Sequence, residues 1–172
     1  MRINFNSEIA EELKKLGADV YKCYQCGTCT GDCPVAQVNP IFNPRKIMLL
    51  ASFGVDSILE SNIAWLCSTC YKCTSLCPRD VKPSEVLGAI RNLSIARNEN
   101  NTGTRFAKNF AEIIKNYGIL SEVKLAIKLK GIVGSARMLP SEVAWKMLRK
   151  GKVSTAKSPA AGEVKKIFEM VE

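Results

Sequence analysis

The sequence predicts a mainly α fold, a helical domain that carries every cysteine continued by a helical C-terminal extension. Three observations predict it. Apolar residues recur at three- and four-residue spacing. Ser, Asn, Pro and Gly stand where helices would start and stop. No stretch alternates convincingly as a strand would.

Taken in order, the first helix is expected from the capping residue Ser7 through Ile9, Leu13 and Leu16, at i, i+4 and i+7, to a stop at Gly17. A run of four cysteines follows, Cys23, Cys26, Cys29 and Cys33, closed by Pro34. Asn43 and Pro44 read as the cap and first position of a helix that extends to about Phe53 and ends at Gly54. A short helix near Asp56–Glu60 precedes a second run, Cys67, Cys70, Cys73 and Cys77, closed by Pro78. Pro83-Ser84-Glu85 opens a longer helix toward Arg97. The polar stretch from Asn98 to Gly103 marks a boundary, which divides the chain into residues 1–98 and 99–172. In the second part, Phe106, Phe110, Ile113, Ile114 and Tyr117 keep a helical stripe that Leu120, Val123 and Ile127 continue after Gly118. A further helix is expected from Pro140-Ser141 to about Arg149, then a loose connection from Gly151 to Gly162 and a last short helix.

The two cysteine runs have the same spacing, Cys-x2-Cys-x2-Cys-x3-Cys-Pro, offset by 44 residues, and Thr30 and Thr74 match as well. This reads as a duplicated unit stretched by a helical insert. Histidine is absent from the 172 residues, which removes haem held by histidine, Cys/His zinc fingers and Ser-His or Cys-His catalytic pairs. No apolar run approaches the ~20 residues that span a bilayer, and no secretory signal is read at the N-terminus, so a cytoplasmic protein with no membrane partner is expected. There cysteines stay reduced, and so dense a pattern points to metal rather than disulfides.

The spacing is a ligand run for 4Fe–4S clusters, in which the fourth cysteine of each run serves the other cluster. Two x2 spacings let one tight loop wrap three corners of a cubane, and the fourth corner needs a thiolate from elsewhere. Two 4Fe–4S clusters are therefore expected, one held by Cys23, Cys26, Cys29 and Cys77, the other by Cys67, Cys70, Cys73 and Cys33. Residues 1–98 become a helical, ferredoxin-like dicluster domain. The crossing ties both runs into one unit and holds the clusters close, as an electron relay requires. Structural zinc fits less well, because zinc sites use paired Cys-x2-Cys units and leave no place for the x3-Cys-Pro ending. Pro34 and Pro78 turn the chain out of each loop, Gly27 lets the backbone come close, and the amides of Gly27, Thr28 and Thr69 are candidate donors to sulfur. Tyr24, Tyr71 and Trp65 either shield the clusters from water or belong to a small core.

The net charge of +9 is uneven, with 11 basic against 9 acidic residues in 1–98 and 14 against 7 in 99–172. Two clusters of about −2 each would leave an electronegative core joined to a basic extension. That extension reads as a solvated face or as a docking surface for an acidic partner, ahead of nucleic-acid binding, because acids lie between its lysines. Lys130-Gly-Ile-Val-Gly134-Ser lacks the ending of a phosphate loop. No acid–base pair, nucleophile–base pair or dinucleotide fingerprint is present, so the chain is expected to carry electrons and to have no substrate site of its own.

Cys26-Gly-Thr-Cys29-Thr with Cys33-Pro34, and Cys67-Ser-Thr-Cys70-Tyr-Lys-Cys73 with Cys77-Pro78, resemble the iron–sulfur C subunits of the CoB–CoM heterodisulfide reductases of methanogenic archaea. The resemblance is strongest over 20–98 and fills all eight ligand positions. It implies a non-catalytic subunit that receives electrons from a larger subunit carrying flavin and iron–sulfur clusters. It passes them to a catalytic subunit, marked by Cys-Cys-Gly repeats, where the mixed disulfide of coenzymes M and B is reduced in methanogenesis. It also implies a cytoplasmic complex in which flavin-based bifurcation couples this flow to ferredoxin reduction, with a hydrogenase or formate dehydrogenase as indirect donor. Related dicluster modules occur in succinate, glycerol-3-phosphate and hydroxy-acid dehydrogenases. The alternative is a relay subunit of such a flavin oxidoreductase. The plant-type Cys-x4-Cys-x2-Cys motif of the first and the Cys-Cys-Gly repeats of the fused relatives are absent here.

Overall fold

The structure is a computed structural model and describes residues 7–17, 19–138, 142, 146–147, 149–151 and 156–171. The described residues form helices and turns and no strand, as the spacing of the apolar residues predicts. They divide into two compact units, residues 1–104 and 105–172.

In the first unit, α1 spans Ser7–Lys15. Its Ile9 and Leu13 are fully buried, but Leu16 lies past the last helical residue and is 52% exposed. The first cysteine run contains α2, Thr28–Gly31, and leads into α3, Pro34–Val38. Helix α4, Pro44–Ser52, begins as expected with Asn43 as its cap, whose Oδ1 accepts from the Lys46 amide at 3.0 Å. Helix α5, Ser57–Glu60, precedes the second run, which contains α6, Lys72–Ser75. Helix α7, Pro83–Ala96, is the longest of this unit.

The core collects the apolar faces of α1, α4, α5 and α7, with Phe42, Met48, Leu59 and Ile90 almost wholly enclosed. Polar ties fix α7 in place. Arg91 donates to the Ala64 carbonyl at 3.0 and 2.9 Å and to the Cys67 carbonyl at 2.7 Å, which seats the entrance of the second run. Arg97 meets Glu12 of α1 at 2.8 Å. The end of the unit is held too, since Asn101 Nδ2 donates to the Leu59 carbonyl at 2.9 Å. Gly103 is a glycine for reason of space: a Cβ there would lie 2.2 Å from the indole of Trp65.

Helix α8, Thr102–Tyr117, carries most of the predicted stripe, with Ile113 buried and the rings of Phe106 and Phe110 stacked at 5.7 Å. In the second unit, α9, Glu122–Met138, is interrupted at Gly131, where φ is 72°. Lys128 of α9 pairs with Glu112 of α8 at 2.6 Å. The helix expected after Pro140-Ser141 falls largely outside the described residues, as does part of the connection after Gly151. The last helix, α10, spans Ala161–Val171. No helix among the described residues is long and apolar enough to cross a membrane.

Candidate iron–sulfur sites

The two cysteine runs share one backbone pattern. Each enters through a 3₁₀ turn, Val20–Lys22 and Ile63–Leu66, from which the first cysteine amide returns to a carbonyl, Cys23 to Val20 at 3.2 Å and Cys67 to Ala64 at 3.3 Å. Gln25 and its counterpart Thr69 have φ of 64° and 55°; Gly27 and Tyr71 have φ of 90° and 60°. These left-handed residues curl each loop around the thiols ahead of α2 and α6. The fourth cysteine amide then bonds to the matched threonine, Cys33 to Thr30 at 3.2 Å and Cys77 to Thr74 at 3.3 Å.

The matched threonines also fasten the next long helix. Thr30 Oγ1 donates to Asn43 Oδ1 at 3.0 Å and accepts from the Arg45 amide at 2.9 Å, at the start of α4. Thr74 Oγ1 lies against Ser84 Oγ and accepts from the Ser84 amide at 3.3 Å, at the start of α7. Each helix N-terminus thus has one further amide held by a hydroxyl of a cysteine loop, and the loops are held at a fixed place on the core.

The result is two narrow hollows, with cavity volumes of about 20 and 10 Å³. Cys23, Cys26 and Cys29 line the first together with Cys77 from the other run. Cys67, Cys70 and Cys73 line the second together with Cys33. All eight cysteines are free thiols. In each hollow they surround a space, and among the described residues no three metal-binding side chains converge as they would on a single ion. A cubane places a separate iron under each thiolate. The donor set, four thiols and no other ligand type, fits a 4Fe–4S cluster.

The thiols fall into two kinds. Cys26 and Cys70 are exposed and hydrogen-bonded, and their pKa values are lowered, by the Thr28 hydroxyl 3.4 Å from Cys26 Sγ and by the Lys72 amide at Cys70. Cys29 and Cys73 are half-buried, and burial raises both, Cys29 to about 11. Further donors reach sulfur: Gln25 Nε2 to Cys23 at 3.2 Å, the Thr69 amide to Cys67 at 3.4 Å and the Val81 amide to Cys77 at 3.3 Å. Tyr24, raised by its hydrogen bond to Cys26, lines the first hollow and Tyr71 the second. Trp65 lines neither. Half-buried, it lies against Gly103 with the Arg91 guanidinium 5.5 Å from its ring.

Residues beyond the motif also reach the hollows. Arg45, Met48 and Arg79 stand at the first; Val35, Ser84 and Leu87 at the second. In the sequence only Pro34 and Pro78, next to the cysteines, hint that neighbours of the fourth thiol take part. Arg45 and Ser84 come from helix starts, where the sequence signals a cap and an apolar face and nothing of a site.

Residues 19–81 match the family described as the 4Fe–4S dicluster domain. The chain is 34% identical over 143 residues to the C 2 iron–sulfur subunit of the CoB–CoM heterodisulfide reductase of Methanocaldococcus jannaschii, over 80% of this chain and 75% of the relative. It is 48% identical over 77 residues to the C2 subunit of the H2/formate:CoB–CoM heterodisulfide,ferredoxin reductase of Methanococcus maripaludis, over 45% of this chain and 41% of that one. With the C subunit of the H2:CoB–CoM heterodisulfide,ferredoxin reductase of Methanothermobacter thermautotrophicus it shares 41% over 91 residues, 52% of this chain and 49% of the relative.

Proposed function

The chain belongs to the family of heterodisulfide reductase iron–sulfur C subunits, and from that premise we propose that it holds two 4Fe–4S clusters and relays electrons between two larger subunits. It is a non-catalytic electron-transfer subunit of an oxidoreductase. The observation that carries the reading is the crossing of the hollows, each gathering three thiols from one run and the fourth from the other. In this reading Cys23, Cys26, Cys29 and Cys77 hold the first cluster, and Cys67, Cys70, Cys73 and Cys33 the second. Bound 4Fe–4S clusters supply one-electron oxidation and reduction without bond changes in a substrate. The chain's own residues fix the thiols: Thr30 and Thr74 anchor the loops, Gly27 and Tyr71 turn them, and amide and side-chain donors stabilise charge on sulfur.

The proposed partners are two. One is the flavin and iron–sulfur subunit, as donor. The other is the catalytic subunit with Cys-Cys-Gly repeats, as acceptor for reduction of the CoM–CoB heterodisulfide. A hydrogenase or formate dehydrogenase would feed the complex, in the cytoplasm. The test compares single variants of the anaerobically purified chain. Cys77→Ser is expected to lower iron from eight to four per chain and to leave the same residual electron paramagnetic resonance spectrum as Cys26→Ser. A residual spectrum matching Cys70→Ser would overturn the crossed assignment. Native mass spectrometry of the complex should find one subunit bearing flavin and another bearing Cys-Cys-Gly repeats; a chain that travels alone would be a diffusible carrier instead.

A further inference from the structure

The two cysteine runs repeat at one spacing, and nearly every residue around one hollow has a counterpart around the other. Along the cysteine runs the counterpart lies 44 residues away, and along the helices that open at Pro44 and Pro83 it lies 39 residues away. The thiols correspond and their surroundings do not. Where the hollow of Cys77 has Arg79, its twin has Val35; where it has Arg45, its twin has Ser84. Neither arginine forms an ion pair among the described residues. The cation on the twin's wall, Lys72, is paired with Asp32 at 3.2 Å.

The donors to sulfur differ in the same sense. Gln25 brings a side-chain amide to Cys23 Sγ at 3.2 Å, whereas at the matched position Thr69 gives its backbone amide at 3.4 Å and its hydroxyl accepts from Arg91. The thiol that crosses over is partly open at Cys77 and buried at Cys33. Reduction adds negative charge to a thiolate-bound cluster. Nearby cations and donors to sulfur favour that added charge, and burial disfavours it. Arg91 opposes them from beside the twin, outside the hollow's wall and bonded to the Ala64 and Cys67 carbonyls; the three differences at the walls themselves act in one direction.

We propose that Arg45, Arg79 and Gln25 hold the site of Cys23, Cys26, Cys29 and Cys77 at a higher reduction potential than its twin, so that a single electron given to the chain resides there. The proposal rests on the reading of both hollows as cluster sites. These three are positioning and tuning residues and bind no iron themselves.

The test uses the full-length chain, loaded with iron and sulfide under anaerobic conditions, its iron counted, and titrated with dithionite while its paramagnetic resonance is followed. Two separate one-electron midpoints are expected. Arg79→Val and Gln25→Thr each install the twin's residue, and each should lower the higher midpoint while the lower one stays in place. Arg45→Ser, on an exposed side chain, makes the same test where the core is untouched. Eight irons with coincident midpoints, or variants that shift the lower midpoint or neither, overturn the inference alone. Fewer than eight irons in the parent chain overturns the two-cluster reading, and the inference with it.

Discussion

Cys29 and Cys26 stand three residues apart and are set to opposite ends of thiol chemistry, one half-buried with its pKa pushed up to about 11, the other exposed beside Thr28 with its pKa lowered. The exposed thiols ionise at lower pH than the half-buried ones. In the metal-free chain, a thiol whose folded pKa is raised above the ordinary 9.0 favours the folded state below that value and loses its contribution as pH rises toward about 11. The melting temperature of the metal-free chain should therefore fall between pH 9 and 11, and that of the loaded chain should not, as circular dichroism melts of the two would show. At this scale the spacing of the eight cysteines made their gathering around two hollows legible. The sequence was not legible at Trp65, whose neighbour Gly103 is 38 residues away, nor at Tyr71, whose left-handed backbone no local preference of tyrosine would suggest.

The helices that position the hollows begin where the loops end their bonding. Asn43 and Pro44 announced α4 in the sequence, and Pro83 announced α7. The hydroxyls that complete both caps come from Thr30 and Thr74, 13 and 10 residues upstream of Asn43 and Ser84. Thr30→Val removes the acceptor for the Arg45 amide and the donor to Asn43 Oδ1 together, and it should cost about 1 kcal/mol, the ordinary worth of an N-cap. The expected drop is roughly 4–8 °C in thermal melts for a domain of this size. Thr74→Val should behave alike, and a variant that melts as the parent does would show that the loops do not cap the helices. The matched pair of threonines was visible in the sequence; what they do was not, because a cap donated from another element has no signature in local sequence. The one-turn helices α2, α3 and α6 were missed for a related reason, since their length is set by the cysteine loops and not by an apolar face.

As a whole, the chain joins a duplicated chelating unit to a basic one. The contacts of Asn101 and Gly103 carry the first unit to Thr104. A chain cut after Thr104 should keep its full complement of iron, whereas one cut after Asn98 loses the Asn101 bond to Leu59 and the seat of Trp65 and should melt lower. Iron analysis and melting of the two truncations check this, and loss of iron from the longer one would make the basic unit part of the chelating fold. We propose that the basic unit docks a partner, so its removal should weaken assembly of the complex. In the first unit, the segment from the end of α3 that exposes Val38 and Ile41 lies between the two cysteine runs, and each hollow takes thiols from both sides of it. With clusters in place, a protease that severed this segment would open the backbone without parting the molecule. The two pieces would stay buckled at two points, besides the packing of α1 in the core and the bonds of Thr30 to the start of α4.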